Sequence, residues 1–212
     1  MKSKWMIRII VAGFILAVMM QGYRLKGEKE EAQRRFQKEV QQGIAKEVLR
    51  FHVIANSDTK EDQELKMQVK TELLEYMNGF LTSADGLEET REAVLENLSD
   101  IQEKAGQIVA KNGSDYRVDA KVEKCEFPEK TYGNCTFPKG EYETLTVTIG
   151  DGMGHNWWCV LYPGLCFIND SYSVISDEKI EELKKVLTEE EFLSIWNDPK
   201  ERKKVRIAWK WF

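Results

Sequence analysis

The run Asn156 to Phe167, NWWCVLYPGLCF, limits the fold more than any other stretch of the chain. It holds two adjacent Trp, two Cys and a Pro-Gly pair, and only Asn156 carries a plainly polar side chain. The run is too apolar for a solvated loop and too short to cross a bilayer, so it reads as a central strand entering a tight turn. Neighbours on a strand point to opposite faces, so Trp157 and Trp158 are expected to diverge, one into a helix layer and the other toward an open face of the sheet.

Such a strand needs partners, and the preceding sequence supplies them. VLRFHVIA, residues 48–55, alternates Leu49, Phe51, Val53 and Ala55 against Val48, Arg50, His52 and Ile54, the period of a strand. Asn56, Ser57, Asp58 and Thr59 then offer side-chain oxygens, and Asp58 with Glu61 has the spacing of a helix cap. The amphipathic helix that follows sets Leu65, Val69, Leu73 and Phe80 on one stripe. A second helix carries Val94, Leu98, Ile101, Ala105 and Ile108 and stops at Asn112-Gly113. From Tyr116 the period becomes two, through Val118, Ala120 and Val122, and it returns at Leu145, Val147 and Ile149. A capped helix from Ser176 and a shorter helical piece at Phe192 to Trp196 come last, before the alternating end KKVRIAWKWF. These elements predict an α+β fold, an antiparallel β-sheet with helices packed on one face.

Before the domain stand Lys2, Lys4 and Arg8 and then an apolar run from Ile9 to Met20, the pattern of a signal peptide or membrane anchor over residues 1–23. The positive charges precede the apolar run, which puts the bulk of the chain on the outer side. Residues 24–46 are a charged, helix-favouring spacer, and residues 47–212 form a single domain.

The net charge of -5 argues against nucleic acid as the main partner. Charge is uneven, however: residues 200–212 hold six Lys or Arg against Glu201, a basic tail suited to an anionic membrane surface. No nucleophile elbow, H-E-x-x-H or EF-hand loop occurs, so neither catalytic residues nor a cofactor are expected, and no small-molecule substrate is implied. Export makes disulfides the natural use of Cys125, Cys135, Cys159 and Cys166. Three pairings exist, and Cys125 with Cys135 and Cys159 with Cys166 are favoured because each pair brackets a turn. Zinc on these Cys with His155 is the alternative, weakened by the lack of any C-x-x-C, and free buried thiols are a third. The glycine-rich GDGMGHN lacks the spacing of a phosphate loop and reads as a turn between strands.

The stretches LRFHVIANSDTKEDQELKMQVK, CEFPEKTYGNCTFPKGEYETLTVTIG and NWWCVLYPGLCF resemble stage II sporulation protein R of endospore-forming bacteria. The resemblance covers residues 48–168 and centres on ANSD-x(4)-Q-x-x-K and NWWCV-x-x-P-x-LCF; Pro163-Gly164 stands where many members have Pro-Pro. It implies a protein made in the forespore and exported into the space between the septal membranes. There it would activate a membrane-embedded aspartic protease of the mother cell that processes pro-sigma-E. Asn56, Ser57, Asp58, Asn156, Trp157, Trp158 and Pro163 are the expected partner-binding residues. A different class of reading is a cell-wall or glycan-binding module that stacks sugars on Trp157, Trp158, Trp209 and Trp211.

Overall fold

A computed structural model describes residues 2–167 and 175–197 of the chain. The basic tail, with Trp209, Trp211 and the strand expected there, lies outside the described residues. The chain divides into two compact units, residues 1–40 and 41–212. Helix α1 (Lys2–Glu47) is one uninterrupted helix through the expected anchor and spacer. In the first unit Phe14, Leu16, Met19, Met20 and Tyr23 are exposed along it. Among the described residues no helix is long and apolar enough to cross a membrane.

The second unit is built on a four-stranded sheet in the order β2-β5-β1-β6. Its strands are β1 (Leu49–Ile54), β2 (Val118–Phe127), β5 (Gly140–Ile149) and β6 (Asn156–Tyr162). The sheet is mixed, which corrects the antiparallel expectation. β1 runs parallel to β5, placing Phe51 beside Leu145, and antiparallel to β6, placing His52 opposite Trp158. Strand β1 thus separates β5 from β6, although those two are consecutive long strands joined by a short loop. The reason is burial: all of β1 except Ile54 is buried, including Arg50 and His52, and a strand covered on both faces belongs inside a sheet.

Helices α2 (Lys60–Leu81), α3 (Leu87–Glu96) and α4 (Leu98–Lys111) follow β1. The second expected helix is in fact this α3–α4 pair, broken at Asn97, whose side chain donates to the carbonyl of Ala93. Gly113 does end α4 with a positive φ of 79°, a conformation that costs glycine little. Val69, Leu73 and Met77 of α2 and Ile101, Ala105 and Ile108 of α4 pack with Phe51, Val53, Leu145, Val147, Cys159 and Leu161 of the sheet. Fully burying one such Leu or Ile contributes about 2 kcal/mol.

The other face of the sheet is covered too, which corrects the picture of helices on one face and an open face opposite. Phe127 and Tyr142 close it at one end, and a separate hairpin of β3 (Lys130–Tyr132) and β4 (Cys135–Phe137) lies across Arg50. Cys135 bridges to Trp196, just past α6 (Glu189–Ile195). Before α6 comes α5 (Asp177–Val186), capped by Ser176 as expected, while α6 has a complete Thr188–Glu191 capping box.

Cys159 and Cys166 form a disulfide across the Pro163-Gly164 turn. Cys125 and Cys135 are free thiols, which corrects the second expected pair. Strand β2 continues past Cys125 to Phe127 and pairs Cys125 with Tyr142, so the turn before Cys135 belongs to another sheet. The Cys125 thiol lies 3.6 Å from the Thr146 hydroxyl, and burial pushes the Cys135 thiol up to about 12.

Candidate functional site

The motif after β1 acts as a fastener between the start of α2 and the loop joining β5 to β6. Thr59, not Asp58, is the N-cap, its side chain accepting from the N–H of Asp62. Asp62 receives the Ser57 hydroxyl at 2.5 Å and the Asn56 amide at 2.8 Å, and these bonds hold its carboxyl below the usual range. The Asn56 carbonyl side chain accepts from the N–H of Asp151 at 3.0 Å, and its backbone carbonyl accepts from Met153. The loop therefore cannot move without breaking bonds to Asn56. Gln63 and Lys66 complete the arrangement: Gln63 donates to the Ser57 carbonyl, and Lys66 donates to the His155 carbonyl at 2.9 Å and to Gln63. Lys66 is buried, and desolvation lowers its pKa. A Cβ on Gly154 would collide with the Ser57 carbonyl, so this close approach requires glycine.

Asp58 and His155 face outward from this fastener. The Asp58 carboxylate accepts from the backbone N–H of His155 at 2.6 Å and meets its ring Nδ1 at 2.6 Å. A carboxylate only accepts, so the network assigns the proton to Nδ1 and leaves Nε2 directed away from the pair. Those hydrogen bonds, the ring's first, lower the Asp58 pKa. Both side chains stay exposed, at 54% and 82%. With Met153 at the loop tip, also exposed, they form a surface on an immobilised backbone.

Strand β6 carries the other expected residues. Trp157 and Trp158 do diverge. Trp157 packs edge-on to Phe51 beneath α2, with the Lys70 ammonium 5.0 Å from its ring centroid. Trp158 stacks on His52 at 4.8 Å and meets Phe127 at 4.6 Å. Both are half-buried, as is Asn156, which sits opposite Ile54 at the start of the strand. Pro163 lines a separate cleft of about 470 Å³ with Leu81, Tyr162, Lys179 and Val186. The expected residues thus split into a polar surface at Asn56–Asp58, a packed strand and a separate cleft wall.

Sequence reasoning missed Asp62 and Lys66 as members of the site, although Lys66 stands in the quoted Q-x-x-K. It also missed His155 as the partner of Asp58, because 97 residues separate them. Among the described residues no three His, Cys, Asp or Glu side chains are grouped to hold a metal ion.

Comparison with known proteins gives one family. Residues 45–172 match Stage II sporulation protein R. The Stage II sporulation protein R of Bacillus subtilis (strain 168) is 33% identical over 147 residues, which cover 69% of this chain and 66% of that protein, just under two thirds of its length. No solved structure matches the chain. The matched region takes in the fastener, the β5–β6 loop and the whole of β6, and the chain belongs to the Stage II sporulation protein R family.

Proposed function

We propose that this sporulation protein is an exported signal without catalytic chemistry of its own. It is made in the forespore, crosses into the space between the septal membranes and activates a membrane-embedded aspartic protease of the mother cell, which then processes pro-sigma-E. The observation that carries this reading is the immobilised Asp58–His155 surface, held by motif residues that make hydrogen bonds rather than a reactive centre. An activator of this kind shifts its receptor only by binding the active state more tightly, and a rigid epitope loses little entropy in doing so. Exposed apolar residues along α1 support retention at a membrane or passage through one, and the basic tail supports attraction to an anionic lipid surface.

Co-expression of this chain with the protease and its pro-sigma substrate tests the reading. Cleavage is expected only when the chain is present. Asp58→Ala and His155→Ala, which remove exposed side chains, should lower cleavage about tenfold or more while leaving the fold intact, the loss expected of a central contact. Cleavage without the chain sinks the proposal, and full activity in both variants moves the contact surface elsewhere. The glycan-binding reading draws no support from β6, because sugar stacking needs open ring faces and Trp157 and Trp158 are engaged by Lys70, Phe51, His52 and Phe127.

A further inference from the structure

Arg50 lies under the β3–β4 hairpin with 0% exposure, and among the described residues it forms no ion pair with Asp or Glu. Its Nη2 donates to the Tyr132 hydroxyl at 3.1 Å, and that hydroxyl donates to the Trp158 carbonyl at 3.1 Å. Among the described residues Nε and Nη1 meet no acceptor, and Nδ1 of His52, two residues along the same face of β1, has no hydrogen-bond partner. Four rings surround the guanidinium, with centroids at 4.3 Å for Phe127, 5.0 Å for Tyr142, 5.3 Å for Phe137 and 5.7 Å for Tyr132. Aromatic faces attract the cation, but the strong acceptor that matches its planar fork of N–H groups is a carboxylate.

Two of those rings, Tyr132 and Phe137, are on the hairpin. It is a two-stranded sheet of three residues per strand, a structure with little stability of its own. Thr131 and Thr136 join its strands, and Asn197 donates to Thr136 on the side of α6. Among the described residues its side-chain hydrogen bonds to the main sheet run through Tyr132 alone. The closed form therefore leaves buried donors unsatisfied beneath a two-stranded cover whose other side is tied to the end of α6 by the Cys135–Trp196 bridge and by the Asn197 N–H donating to the Asn134 carbonyl.

We propose that Arg50 is a receptor for the carboxylate of an acidic peptide, reached when the hairpin lifts and Tyr132 gives up its place on the guanidinium. The carboxylate supplies the missing acceptor and the countercharge, and a ligand that binds only the open form shifts the hairpin toward it. The site is distinct from the Asp58–His155 surface and stands whether or not that surface contacts a protease.

Hydrogen exchange of the full chain with hexaglutamate as probe tests this. Exchange at the amides of residues 132–135 should accelerate about tenfold with saturable dependence on the peptide, while amides of residues 145–149 stay protected. Arg50→Met, an apolar replacement of similar length, should abolish the response. Tyr132→Phe removes the competing hydroxyl and should strengthen hexaglutamate binding, a second test should the first variant fail to fold. An unresponsive wild type, an equal response to potassium chloride at matched ionic strength, or a response that persists in Arg50→Met overturns the proposal.

Discussion

His52 carries the clearest pH signature of any single residue. It is 4% exposed, its Nε2 meets the Thr146 hydroxyl at 2.9 Å, and burial drives its pKa from 6.5 down to about 4. Between those values the unfolded chain binds the proton that the folded chain refuses. Stability is therefore fully present above pH 6.5 and falls as pH drops toward 4, by about 3 kcal/mol in total for this one group. Thermal melting across this range should show the loss, and His52→Phe should flatten it; an unchanged slope in that variant assigns the effect elsewhere. Asp58 and Asp62 are shifted in the same direction, downward, and the stability they contribute is lost as pH falls below the ordinary 3.8. The residue type alone did not announce any of this, since Arg50 and His52 alternate with apolar neighbours as solvent-facing residues do.

At the scale of elements, β6 and the turn after it depend on the Cys159–Cys166 bond. The disulfide joins the end of the sheet to the short 3-10 turn at Leu165–Phe167 and closes a loop with a sequence separation of 7. A loop of that length corresponds to about 2.5 kcal/mol in the chain-entropy model. Reduction should lower the melting temperature accordingly and leave the second unit folded, and Cys159→Ser with Cys166→Ser should reproduce the effect. An unchanged melting temperature after complete reduction removes the bond from the list of stabilising features. The amphipathic stripe of α2 and the alternation of β5 were legible because both periods are local. The break at Asn97 was not, because the stripe Val94, Leu98, Ile101 continues through it without losing its period.

For the whole molecule, the division into units predicts where the chain can be cut. Residues 41–212 contain the sheet, its helices and the hairpin, with Ile44 wholly buried near the start of that unit. A fragment of residues 41–212 should unfold in one cooperative transition near the melting temperature of the full chain, followed by circular dichroism. A drop of more than about 5 °C, the shift worth roughly 1–2 kcal/mol in a domain of this size, shows that the first unit stabilises the second.

By itself the sequence determined the four strands of the main sheet, the helices α2, α5 and α6, the divergence of Trp157 from Trp158, the turn at GDGMGH and the family to which its motifs point. Each is written in spacing over a few residues. The tertiary structure alone decided that β1 enters the sheet between β5 and β6, that Arg50 and His52 are interior, that Cys125 and Cys135 stay apart, and that Asp58 meets His155. Strand order and burial depend on which distant segments lie side by side, and a periodicity of two is the same whether the strand's second face meets water, a helix or a hairpin.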